Sequence, residues 1–236
     1  MRLKGKNAFV TGGGRGIGKG IALALANAGA NIMITYNKNH KAAELTCDEI
    51  NNMGGNALNV KMHNEDRSSI TSALDFAIQE MGDINILINN AGIAQEKPFE
   101  TITDKNWDQM MAVNLRGPFT VTQEVLPSMI NNKWGRIINI ASIGGQWGGF
   151  NQVHYAAAKA GLINFTRSIA KIYSQHGITS NAIAPGLIAT EMSAAELETE
   201  AGKQKLVSIP VNKIGSVDDV GSAVVYLASN EAHYIT

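Results

Sequence analysis

The chain has 236 residues, 44% of them hydrophobic and 17% charged, with 24 glycines, 5 prolines and a formal net charge of zero. That balance fits one globular α/β domain over residues 1–236 with tight loops rather than a disordered chain. With no basic stripe or acidic tail, nucleic acid and a membrane surface are not expected partners, which leaves a small molecule.

Cys47 is the single cysteine, so no internal disulfide can form and a reducing compartment is expected. Residues 1–7 lead straight toward a strand without an apolar signal core, which reads as cytoplasmic. The uncharged stretches near 20–37 and 137–158 are interrupted by Asn, Gly, Gln or Ser, and neither offers the ~20 predominantly apolar residues of a membrane helix.

In chain order, the first apolar run, Asn7 to Thr11, reads as a strand buried on both faces. It enters Thr11-Gly12-Gly13-Gly14-Arg15-Gly16-Ile17-Gly18, which opens a helix near residues 16–28. Glycines at 12, 16 and 18 permit a tight turn and close approach of a pyrophosphate, whose charge the free N–H groups of the helix start favour. The spacing is not the G-x-G-x-x-G fingerprint, and such a turn alone can be a plain strand-to-helix connection. Its place after the first strand favours a cofactor.

A second strand, Asn31 to Tyr36, ends at Asn37-Lys38 without the acid that would hold ribose hydroxyls about 20 residues beyond the glycines. Arg15 and Lys38 can instead meet a ribose 2′-phosphate, so NADP(H) is the expected cofactor and NAD(H) the second choice. A helix near 40–52, a strand Ala57 to Met62 and a helix near 68–80 follow. The next strand, Ile84 to Asn89, runs into Asn90-Ala91-Gly92, where small residues let the chain pass close to a cofactor; such a run is otherwise a common turn.

A helical stretch over 104–130 precedes the strand Arg136 to Ala141, and Ser142 stands just beyond it. Tyr155 and Lys159 lie four apart in a helix over 152–175, so they share one face. A strand Ile178 to Ala184 and a helix near 217–229 complete the alternation, which is that of a doubly wound parallel sheet with helices on both faces. Ligands of such sheets bind beyond the carboxyl ends of the strands, where each of these motifs falls.

A phenol beside an ammonium is a usable acid only with help. Moving a Tyr from about 10 to ~7 takes roughly 4 kcal/mol of selective stabilisation of phenolate. An exposed ion pair supplies about 0 to 1 kcal/mol. Lys159 must therefore act in a partly buried site with further positive charge nearby, such as an oxidised nicotinamide.

Together these motifs resemble the short-chain dehydrogenase/reductase family over essentially the whole chain. The resemblance implies a Rossmann-type fold and a catalytic tetrad of Asn114, Ser142, Tyr155 and Lys159. It implies that Tyr155 donates a proton to the substrate oxygen and that Ser142 stabilises the developing charge. Lys159 would bind the nicotinamide ribose and lower the phenol's pKa, and Asn114 would hold a water. Thr11 to Gly18, with Gly14 and Ile17 among them, would be the cofactor turn, joined by Asn90, Ala91 and Gly92. Pro185, Gly186, Ile188 and Thr190 would close over the nicotinamide, with the Ile188 backbone at the carboxamide. No metal is expected, since His and carboxylates show no ligand spacing.

Two departures stand out. His63 and Asn64 replace the acid common after the third strand, leaving a backbone contact from Asn64 to adenine. Family members also continue past Thr236 into a glycine, a final strand and a short tail, so a strand beyond this sequence is expected to finish the sheet. Ala156 to Ala170 and Pro185 to Met192 most resemble members that reduce 3-oxoacyl thioesters on acyl carrier protein or coenzyme A, whereas Gln95 to Phe99 looks more like sugar, polyol or ketone dehydrogenases. Lys133 and His176 are the cations expected to meet a carrier protein. Trp147, Phe150, His154 and Met192 are the expected pocket lining, and residues 187–210 the expected lid. Relatives form homotetramers through the long helices. A reading of another class is a non-catalytic dinucleotide sensor on the same fold.

Overall fold

The computed structural model describes residues 1–191 and 206–236. Six strands, β1 (Asn7–Val10), β2 (Asn31–Tyr36), β3 (Asn56–Lys61), β4 (Ile86–Asn89), β5 (Gly135–Ile140) and β6 (Ile178–Ile183), form one sheet in the order β3-β2-β1-β4-β5-β6. All pairings are parallel. Chain order reverses between β1 and β4, which places a ligand crevice beyond their carboxyl ends. β2 has the expected ends, and the other strands differ at one or both ends by one or two residues, because neighbouring ladders rather than the apolar run set where pairing stops.

The described helices are α1 (Gly16–Asn27), α2 (His40–Asn52), α3 (Arg67–Met81), α4 (Asp104–Met111), α5 (Gly117–Asn131), α6 (Gly144–Trp147), α7 (Val153–Tyr173) and α8 (Val217–Ala228). Alternation along the strands divides the core in two. Val10, Ile34, Ile88 and Ile138 pack with α1, α2 and α8 on one face. Phe9, Met33, Leu87 and Ile137 pack with α3, α5 and α7 on the other. Each such buried side chain contributes about 1.5–3 kcal/mol, and burial of both strand faces is what the doubly wound arrangement requires.

The single helix expected over 104–130 is instead α4, a π turn at Ala112–Arg116, and α5. Pro118 gives the physical reason. It has no N–H for the Asn114 carbonyl four residues back, and its ring crowds that carbonyl. The backbone widens, and the Gly117 N–H bonds Ala112 O, five residues back.

The expected lid is described only up to Glu191 and from Leu206 onward; Met192 lies outside the described residues. The described part bridges Ile188 to Gly215, with Ala189 N–H donating to Gly215 O at 2.8 Å. Among the described residues no helix is long and apolar enough to cross a membrane, and no cluster of His, Cys, Asp or Glu could hold a metal.

Candidate active site

The turn after β1 is fixed by the expected Asn90 together with the hydroxyls of Thr11 and Thr35. Thr11 Oγ1 donates to Ile88 O at 3.2 Å and accepts the N–H groups of Asn90 at 3.0 Å and Ala91 at 2.9 Å. The Asn90 amide returns to Thr11 O at 2.9 Å and Gly12 O at 3.1 Å. Thr35 Oγ1 accepts the Gly12 N–H at 3.1 Å, tying in β2 as well. Gly12 adopts φ +66, and a Cβ on Gly18 would lie 2.2 Å from Gly12 O, so only glycine fits there. Ile17 turns its side chain into the core.

This cradle fits a dinucleotide. Arg15 caps α1 without a side-chain bond, and the first turn carries no acid, which leaves the helix start to an anion. A Cβ on Gly14 would lie 3.1 Å from Ala43 N, so the first turn of α2 abuts the loop. Arg15 and Lys38 are exposed at this corner and form no ion pair among the described residues. On the far side, Thr190 approaches Gly16, with its Cγ2 3.6 Å from where a Cβ would stand. Pro185 O accepts the Ile143 N–H at 3.0 Å, and Gly186 is exposed with open space around it.

The four side chains expected as a tetrad converge beyond β4 and β5. Lys159 is buried, and its ammonium donates to Ile140 O at 2.8 Å, 5.8 Å from the centre of the Tyr155 ring. Burial pulls its pKa down to about 8. Asn114 is also buried: its Oδ1 accepts the Ile93 N–H at 3.1 Å, and its Nδ2 donates to Ile93 O at 3.0 Å and Met110 O at 3.1 Å. Gly92 stands between them, because a Cβ there would lie 2.6 Å from Asn114 Oδ1 and 3.5 Å from Lys159 Nζ. Ser142 Oγ accepts the Gly144 N–H at 3.1 Å, which leaves its own proton for the phenol. Gly145 lets α6 lie against α7, since a Cβ would meet Lys159 at 2.8 Å.

The surroundings of the phenol act against its ionisation. Burial raises the Tyr155 pKa, and the Ser142 hydroxyl opposes that only in part. The Lys159 ammonium gives one of its three N–H groups to a backbone carbonyl, and burial keeps the phenol neutral. A neutral phenol is the form that can give up a proton.

The pocket-lining residues separate. Trp147 and Phe150 are 81% and 92% exposed on the segment before α7. His154 is instead wholly buried, with its ring 3.2 Å from Gln95 Oε1, so a substrate cannot reach it here. Burial, and then Lys97, hold its imidazole below the usual range. Gln95 was missed as its partner. Lys133 and His176 precede β5 and β6, so within one chain they sit at the end of the sheet away from Ser142 and Tyr155. Asn64 was expected to offer its backbone to adenine; its side chain also donates to Val113 O at 2.7 Å.

Fold and site together define a Rossmann-type oxidoreductase that uses a nicotinamide dinucleotide. The chain belongs to the short chain dehydrogenase family, whose model matches residues 6–201. It is 40% identical to the 3-oxoacyl-(acyl-carrier-protein) reductase FabG of Aquifex aeolicus over 236 residues, 100% of this chain and 95% of that protein. The Escherichia coli protein of the same name is 37% identical over the same shares, 100% and 95%. Among solved structures, a candidate gluconate dehydrogenase from Agrobacterium tumefaciens superposes with TM-score 0.95 at 31% identity, covering 99% of this chain and 92% of that one.

Proposed function

We propose that the chain is a cytoplasmic NADPH-dependent reductase of 3-oxoacyl thioesters, carried on acyl carrier protein or coenzyme A, and works as a homotetramer. One observation carries the chemistry: a phenol kept neutral by burial, with the Ser142 hydroxyl beside it and a buried ammonium on the same helix face. The bound cofactor supplies a hydride to the carbonyl carbon. Tyr155 gives its proton to the carbonyl oxygen, and Ser142 donates a hydrogen bond to the same oxygen as charge develops there. Lys159 stabilises the phenolate left behind, and regaining a proton resets the site. Gly12, Gly14, Gly16, Gly18 and Asn90 shape the cradle, while Arg15 and Lys38 meet the 2′-phosphate.

The names of the Aquifex and Escherichia relatives support the thioester. The likeness to a candidate gluconate dehydrogenase favours a sugar or polyol dehydrogenase as the second reading. Nicotinamide absorbance with 3-oxoacyl thioesters, ketones and polyols, each with NADPH or NADH in the matching redox state, separates the two. Turnover confined to polyols would reject the thioester; NADPH binding without any turnover would leave a dinucleotide sensor.

A further inference from the structure

Asn64 lies in the loop after β3 and is buried, its Oδ1 enclosed without a hydrogen-bond partner. A buried unpaired acceptor is costly, and a valine of nearly the same volume would avoid it. The other half of the amide is engaged. Where the π turn sends the Gly117 N–H to Ala112 O, the Val113 carbonyl loses the donor a regular α-helix would give it, and Asn64 Nδ2 takes its place at 2.7 Å. Gly117 makes the room, since a Cβ there would stand 2.3 Å from that nitrogen.

Val113 is the residue before Asn114, whose amide pairs with both the N–H and the carbonyl of Ile93. We propose that Asn64 is a positioning residue for Asn114: by closing a backbone carbonyl that the π turn opens, it holds the Asn114 amide against Ile93 and beside Lys159. This rests on the reading of Asn114 as part of the tetrad. It also joins the loop after β3, where the adenine end is expected, to the residues that act on the carbonyl, through contacts spanning a single turn of helix.

Hydrogen exchange of the cofactor-free protein reads the contact directly, because the Ile93 N–H is the proton that Asn114 Oδ1 receives. Asn64→Val and Asn64→Asp both remove the donor. Each is expected to speed exchange at Ile93 at least tenfold while the amides of β1 and β5 keep their native rates. With NADPH and the thioester, kcat should fall at least tenfold and the KM for NADPH change less than twofold. Gly117→Ala keeps Asn64 but displaces its amide, and should give the same pattern if the Asn64 variants fold poorly. Unchanged exchange at Ile93, or a loss confined to the KM for NADPH, overturns the proposal. Asn114→Ala separates the two readings: if it lowers kcat while the Asn64 and Gly117 variants do not, only the positioning role fails, and if it leaves kcat intact, the tetrad reading fails with it.

Discussion

Lys159 and Tyr155 share a face of α7, yet the ammonium is bonded to Ile140 O and lies 5.8 Å from the centre of the phenol ring. Burial raises the phenol's pKa, and the Ser142 hydroxyl opposes that only in part. A difference titration of the native protein against Tyr155→Phe near 295 nm should therefore show no Tyr155 phenolate below about pH 10, the ordinary value. A Tyr155 phenolate near neutrality without cofactor would contradict this. The same variant should lose about 10²–10⁴-fold in kcat, the usual share of a positioned acid, with cofactor affinity within a few-fold of native.

Lys159 should cost stability at neutral pH. Its folded-state pKa of about 8 lies below the ordinary 10.5, so between these values the unfolded chain binds the extra proton. Stability on this account rises as pH climbs from about 8 to 10.5, and the full cost, about 3 kcal/mol, is present below 8. Lys159→Met removes that cost and gives up one hydrogen bond worth about 1 kcal/mol. Urea denaturation should find the inactive variant about 2 kcal/mol more stable at pH 7, with the advantage gone by pH 11. An advantage that did not shrink with pH would point to packing instead.

Arg15→Ala and Lys38→Ala should each weaken NADPH by tenfold or more, since a charge-assisted bond to a phosphate is worth about 1.5–3 kcal/mol. NADH should lose less than threefold. Calorimetric titration with both cofactors tests this, and equal losses would remove the 2′-phosphate role.

The sheet was legible because several of its strands are apolar on both faces and the helices between them are amphipathic. The glycine turn and the Tyr155–Lys159 pair were legible because each depends on local spacing. The rest depends on distant partners. Nothing near Thr11 in sequence announces Asn90, and Gln95 and His154 meet only after the chain has passed through three helices and a strand. The π turn did have a signal: Gly117-Pro118 in the middle of an apolar helical stretch cannot continue a regular helix. How deeply Tyr155 is buried was not legible, because it depends on how distant segments pack against α7.

Behind the site, Asn89 and Asn139 face each other across β4 and β5, and the Asn89 amide donates to Asn139 Oδ1 at 2.8 Å and to Thr122 Oγ1 of α5 at 3.1 Å. The Asn139 amide goes on to Thr166 Oγ1 of α7 at 2.8 Å. A one-residue slip of β5 would strand these amides in a dry core, so the strand that delivers Ser142 and the helix that delivers Tyr155 are indexed to each other by polar atoms that touch no ligand. The outer loops at Gln95 and Phe150 can then be rewritten for a new carbonyl while the proton-transfer geometry keeps its alignment.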